Sequence, residues 1–137
     1  MQTIRLTLTV LTERLVICRL DPQAAIPHWA TLASFFSISR TADELSIVCP
    51  EHCVPSDVTC ERGWSALKFD GSFDFALTGI LVAVAVPLAE AGVSIFAVST
   101  YDTDYVLVKE SQLDLAISVL SKQGHHVQHI HNLKAPP

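Results

Sequence analysis

Residues 75–98, FALTGILVAVAVPLAEAGVSIFAV, form an apolar stretch whose interruptions decide what it can become. A bilayer-crossing helix needs ~20 apolar residues in a row. The run 80–89 is half that length, and Pro87, Glu90 and Gly92 punctuate the segment. It therefore reads as a buried helix followed by a buried strand, with no membrane span. The helix is expected to open at Thr78-Gly79 and run to about Ala91. Pro87 removes one helical N–H, so a kink or late restart is expected there. Gly92 takes the position just beyond the helix end, and 93–99, β-branched and aromatic, reads as a strand.

The flanks complete a pattern. Residues 73–77 read as a strand, 101–104 as a turn and 105–109 as a strand. Ser111 is placed as the cap of a second helix, with Asp114 three residues on in capping-box position. Leu113, Ala116, Ile117 and Leu120 follow helical spacing, and Lys122 and Gly124 supply the closing chemistry. Residues 126–130 make a last strand. The order is βαββαβ. The first half repeats it in weaker form. Strands are expected at 4–10 and 15–20 (as a hairpin), 35–40, 44–49 and 64–69. Pro22 and Pro27 keep any helix in 21–33 short, and 50–61 has room for one or two helical turns. FSISRTADELSIVC from Phe36 and FAVSTYDTDYVLVK from Phe96 align at a shift of 60, matching Phe36 with Phe96, Ser39 with Ser99 and Val48 with Val108. Glu44 then answers to Asp104. Matching element order around two similar segments reads as a duplication.

The βαββαβ order specifies an α+β, ferredoxin-like fold: an antiparallel sheet with both helices on one face. Two tandem units are expected, 1–70 and 71–131, with 132–137 as a tail. The helix in 80–91 is apolar almost all round and needs cover beyond its own sheet. Pairing of units, within the chain or in a homodimer, would supply it.

Composition narrows the class of function. The chain has 137 residues, 50% hydrophobic and 17% charged, which excludes a disordered segment. Its net charge is −5, so it has no basic footprint for nucleic acid or anionic lipid. The five glycines are far apart, and no glycine-rich phosphate loop exists. MQTIRLTLTV lacks the apolar core of a signal peptide. With only four cysteines, Cys18, Cys49, Cys53 and Cys60, the expectation is a reduced, cytoplasmic protein.

Residues 77–110, LTGILVAVAVPLAEAGVSIFAVSTYDTDYVLVKE, resemble an ACT domain. The marks are Gly79 at the first strand–helix junction, LAEAGVSIFAVST across the helix end and second strand, and the acidic, hydroxyl-bearing turn STYDTD. ELSIVCPE, 44–51, fits a preceding unit of the same kind. The resemblance is to the tandem type found in aspartate kinase regulatory regions and eukaryotic cytosolic arginine sensors. It implies a regulatory module that binds an amino acid or similar small zwitterion, with no cofactor, no catalytic residues and a separate client protein. Leu77 stands where the arginine sensors carry an acid, so arginine specificity is not carried over. Arg19 stands at the shifted position of Gly79, so the second unit is the expected binder. The alternative is a structural interaction module with a vestigial ligand site.

The residues give a physical reason for a site. A helix N-terminus offers unsatisfied N–H groups and a partial positive charge, which suit a carboxylate. Gly79 admits close approach, Ile80 and Leu81 would donate, and Thr78 either caps the helix or joins them. Opposite, Ser99, Thr100 and Tyr101 offer hydroxyls, and Asp102 and Asp104 would receive an ammonium group. Two rivals compete. The run GHHVQHIH, 124–131, puts His129 and His131 on one strand face, which can start a metal site. Its plainer reading is an exposed edge strand, and no metal site is assigned. A Cys–His nucleophile pair is the enzyme reading. Cys18 and Cys49 read instead as core, Cys53 and Cys60 as loop residues, and Trp29 and Trp64 as packing anchors.

Overall fold

The computed structural model describes residues 4–71 and 79–129. Its strands are β1 (Thr7–Val10), β2 (Leu15–Leu20), β3 (Ser37–Arg40), β4 (Leu45–Pro50), β5 (Cys60–Phe69), β6 (Ile95–Ser99), β7 (Asp104–Lys109) and β8 (His126–His129). Two α-helices, α1 (Ile80–Glu90) and α2 (Leu113–Lys122), and 3₁₀ turns at His28–Thr31, Glu51–Cys53 and Glu110–Gln112 complete it. The chain divides into two compact units, one joining Met1–Thr12 to Ser65–Pro137 and the other Glu13–Trp64. The sequence reading puts the division at Asp70. In the structure it falls inside β5, and the first twelve residues go with the C-terminal unit.

In that unit the strand order is β8-β1-β5-β7-β6. β5, α1, β6, β7, α2 and β8 supply the ferredoxin-like βαββαβ order, and β1 is an extra strand between β8 and β5. β1 runs antiparallel to β5, with Leu8 opposite Phe69, and parallel to β8, with Leu8 opposite Val127. The expectation of a wholly antiparallel sheet is corrected at that parallel pair. The expected β1–β2 hairpin is corrected too, since β2 pairs with β4 and β5 instead. The expected strand at 73–77 lies outside the described residues. Inward-facing Leu8, Val10, Leu67, Phe69, Val106 and Val108 form the sheet side of the core, and Val84, Leu88, Ala116 and Leu120 the helix side. Fully burying such a side chain contributes about 1.5–3 kcal/mol.

Both helices end as their glycines require. Gly92 N–H bonds the Ala89 carbonyl at 3.0 Å and Val93 N–H the Leu88 carbonyl at 2.9 Å. Gly124 and His125 repeat this on Ser121 and Leu120, at 3.0 and 3.1 Å. These are Schellman motifs, and their left-handed residue sits at φ +80° in Gly92 and +95° in Gly124. One local expectation fails. Ser111 caps nothing: it lies in the turn Glu110–Gln112, and Gln112 precedes α2 with no side-chain cap. α1 runs through Pro87 as one element. The carbonyl that Pro87 leaves without a helical donor is Ala83's, and His125 Nε2 lies 3.2 Å from it.

The Glu13–Trp64 unit has strand order β3-β4-β2-β5. Its core is Val16, Cys18, Ala30, Leu45, Ile47, Cys49 and Val54, with Trp29 and Val58 against it. It contains 3₁₀ turns in place of the α-helices that a full βαββαβ copy would have. Pro27, extended at φ −66° and ψ 149°, confines the first of them to His28–Thr31.

Local geometry repeats at a shift of 59, one residue from the sequence alignment. The turns after β3 and β6 begin at Thr41 and Thr100 (100 − 41 = 59). In each, the threonine N–H bonds the carbonyl three residues on, at 2.9 Å to Glu44 and 2.8 Å to Thr103. In each, its Oγ1 accepts the N–H of that same residue, at 3.2 and 3.3 Å. The 3₁₀ turns start at Glu51 and Glu110 (110 − 51 = 59), after residues of nearly identical backbone, φ −61° with ψ 141° and 140°. Glu44 therefore corresponds to Thr103, and Asp104 to the fully buried Leu45.

Candidate site at the β6–β7 turn and the start of α1

The turn is built by its hydroxyls. Ser99 and Asp104 close the β6–β7 ladder opposite each other, and Ser99 Oγ donates to Asp104 Oδ1. Thr100 Oγ1 also bonds the Thr103 carbonyl at 3.1 Å. Thr103, only 8% exposed, donates from Oγ1 to the Phe69 carbonyl at 2.6 Å. That bond ties the turn to the last residue of β5. Tyr101, 81% exposed, and Asp102 project outward, and Asp104 is half-buried. Ser99, Thr100 and Asp104 thus belong to one hydrogen-bonded turn.

The other half of the expected site is the start of α1. Gly79 precedes the helix at φ +84° and ψ −2°, with no side-chain cap, and its carbonyl accepts Ala83 N–H at 2.9 Å. The N–H groups of Ile80 and Leu81 belong to the first turn, where no helical carbonyl precedes them. Their side chains pack on the core. Thr78 lies outside the described residues. A Cβ at Gly79 would stand 3.3 Å from Ile4 Cδ1. The glycine is thus required by both backbone sign and packing. β5 is the common reference for the two groups: Phe69 receives Thr103, and the chain leaving Phe69 reaches Gly79 ten residues on (79 − 69 = 10).

In the Glu13–Trp64 unit the corresponding turn is held differently. Arg19 Nη1 lies 3.4 Å from Glu44 Oε1, and its Nη2 donates to the Asp43 carbonyl at 3.3 Å. Arg19 lies within β2, not at a helix start.

Thr103 and His125 were missed in the sequence. Thr103 reads as one more polar turn residue between two aspartates, and only its match to Thr100 three residues earlier hints at a closed turn. His125 is hidden in an imidazole-rich run, yet it is 5% exposed while His126 and His129 are exposed. The rival constellations stay apart. His131 lies outside the described residues, and among the described residues no three metal-capable side chains converge. His52 lies 3.9 Å from Glu13. Cys53 and Cys60 are half-buried against the same core as Cys18 and Cys49, not in an open loop. Among the described residues no helix is long and apolar enough to cross a membrane.

Comparison with known proteins bears on the fold and the family. The ACT domain family model matches residues 59–122, and a model of an N-terminal domain matches 13–57. A solved protein of Agobacterium tumefaciens is 41% identical, with a TM-score of 0.90 over 98% of this chain and 100% of that one. The human cytosolic arginine sensor for mTORC1 subunit 1 is 31% identical over 100 residues, 65% of this chain and 30% of the sensor. The chain spans between 30% and 65% of the length of the curated relatives it matches. The regulatory subunit of aspartate kinase from Thermus flavus shares the fold at 6% identity, with a TM-score of 0.61 over 89% of this chain and 99% of that subunit.

Proposed function

Residues 59–122 belong to the ACT domain family, and on that premise we propose that the protein is a regulatory module that binds a free amino acid or similar zwitterion and has no catalytic step of its own. The ligand's carboxylate is received by the N–H groups of Ile80 and Leu81 beside Thr78 and Gly79. Its ammonium group is received at the β6–β7 turn by Asp104 and Asp102, with Ser99, Thr100 and Tyr101 alongside. The observation that carries this reading is the Thr103–Phe69 bond, which fixes the acidic turn against the strand from which the chain leads to α1. A helix N-terminus and a carboxylate pair offer opposite poles to a zwitterion. Binding regulates a separate client only through a difference in affinity between two arrangements of the protein.

The protein works in the cytoplasm as a homodimer. Support for the second copy comes from α1, whose Val82 and Val86 are 58% and 46% exposed one helical turn apart, with Leu115 of α2 46% exposed. Such a face is costly to leave in water.

Thermal-shift screening against the free amino acids tests the binding reading. A ligand at 100 times its Kd adds about 2.7 kcal/mol of stability. If no amino acid at millimolar concentration raises the melting temperature, the reading fails. One observation favours the alternative, an interaction module with a vestigial site: the positive φ of Gly79 and its contact with Ile4 account for that glycine without a ligand.

A further inference from the structure

Cys18 and Cys49 are buried in the core of the Glu13–Trp64 unit, and Cys53 and Cys60 pack against that core. Three of them lie on adjacent strands, Cys49 on β4, Cys18 on β2 and Cys60 on β5, with β2 in the middle. The registers distinguish the two neighbours of Cys18. Across β2–β5, Cys18 stands directly opposite Cys60. The flanking pair is hydrogen-bonded, Arg19 N–H to the Thr59 carbonyl at 3.0 Å. In an antiparallel ladder the two kinds of pair alternate, so Cys18–Cys60 is a non-hydrogen-bonded pair, the kind whose side chains stand closer. Across β2–β4, Cys18 faces Ile47 and Val16 faces Cys49. Cys49 is therefore a diagonal neighbour, at about 7–8 Å in a regular ladder. A disulfide requires Cβ atoms roughly 3.5–4.5 Å apart, and a directly opposed pair, at about 4.5–5.5 Å in a regular ladder, lies nearer to that than a diagonal one.

We propose that Cys18 and Cys60 form a reversible intrachain disulfide when the protein meets a small-molecule disulfide oxidant. Cys60 is the entry point because it is half-buried, whereas Cys18 is 1% exposed. The Cys60 thiolate attacks one sulfur of the oxidant, forms a mixed disulfide and releases one thiolate. Cys18 then gives up its proton and displaces the second thiolate from Cys60. In balance, two protein thiols are oxidised to one disulfide, and one small disulfide is reduced to two thiols. The bond clasps β2 to β5 and closes the segment that contains β3 and β4. Cys49 accepts a hydrogen bond from the Cys18 thiol, which lowers the Cys49 pKa and raises that of Cys18. Burial raises the Cys60 thiol as well. Both reacting sulfurs are therefore held as thiols, and the exchange is slower than that of free cysteine at the same pH.

The test is incubation of the full chain with oxidised glutathione, followed by peptide mapping under non-reducing conditions. The expected product is a Cys18–Cys60 cross-link that dithiothreitol reverses. It forms in Cys49→Ser and Cys53→Ser and is lost in Cys60→Ser. A glutathione adduct that stays on Cys60 without resolving, a cross-link through Cys49 or Cys53, or no consumption of thiol would each overturn the proposal. The wild-type map is decisive by itself, so the result does not depend on any variant folding.

Discussion

His125 supplies the hydrogen bond that Pro87 withholds. In an uninterrupted helix the N–H of residue 87 would bond the Ala83 carbonyl, and proline has no N–H. The ring of His125 reaches that carbonyl at 3.2 Å, while its Nδ1 accepts the Leu6 N–H at 3.1 Å. The second contact fixes the tautomer: Nδ1 accepts, so Nε2 carries the proton and donates. The C-terminal Schellman motif of α2 puts His125 at this spot, so one side chain joins β1's approach, α1 and α2.

Replacing His125 with Leu strands the buried Leu6 N–H, at about 1–3 kcal/mol, and the part-buried Ala83 carbonyl. In a Pro87→Ala background the Ala83 carbonyl regains its own donor, so the same replacement is expected to cost about 1 kcal/mol less. Urea denaturation of the four proteins of this cycle measures the coupling. Strict additivity would separate the two residues.

Gly79→Ala places a side chain at φ +84° and 3.3 Å from Ile4. The left-handed conformation alone costs about 1–2 kcal/mol. Ile4→Ala should restore only the part due to crowding. Denaturation midpoints of the single and double variants divide the two contributions, and full recovery in the double variant would assign the whole effect to crowding.

Thr103→Val and Asp104→Ala are expected to fail in different ways. The valine keeps the shape but leaves the Phe69 carbonyl without its donor, and should cost about 1–2 kcal/mol of stability. The alanine removes one hydroxyl contact at a half-buried turn, should leave the fold intact, and should weaken amino-acid binding at least tenfold. Calorimetric titration beside thermal melting separates the outcomes. Unchanged affinity in Asp104→Ala would take that residue out of the site.

Val86→Asp puts a charge on the exposed face of α1. The expected result is a monomer by light scattering at concentrations where the native chain is dimeric, with an unchanged circular dichroism spectrum. A native chain that is already monomeric ends the dimer reading.

The Cys60 thiol, raised by burial, should show its own pH signature. A raised pKa leaves less thiolate at any given pH, so the alkylation rate at Cys60 should still be climbing at pH values where free cysteine has levelled off. Iodoacetamide labelling read by mass spectrometry across that range checks the direction. A midpoint at or below that of free cysteine contradicts it.

From α1 onward the element order, both helix-ending glycines and the acidic turn are plain in the sequence, because each has a local cause, whereas the strand that opens the order is β5. The residue matches run at a shift of 60 and the turn geometry at 59, for a physical reason. Ile47, Val48 and Cys49 in β4, and Val106, Leu107 and Val108 in β7, are all buried. Without inside–outside alternation, no residue pattern distinguishes a shift of 59 from one of 60. What fixes the phase is the threonine hydrogen bonding at Thr41 and Thr100, which only coordinates reveal. Pro87 shows the same limit: the donor it lacks is supplied by His125, far along the chain. The division at Asp70 followed composition, while β1 answers to partners that no local signal names.

β1 occupies the middle of its sheet, between β5 and β8. The strand at 126–129, which ladders one edge of residues 7–10, is translated 119 residues after them (126 − 7 = 119). β5 can ladder the other edge as soon as residues 67–69 are made, so only the edge that faces β8 stays open until residues 126–129 follow.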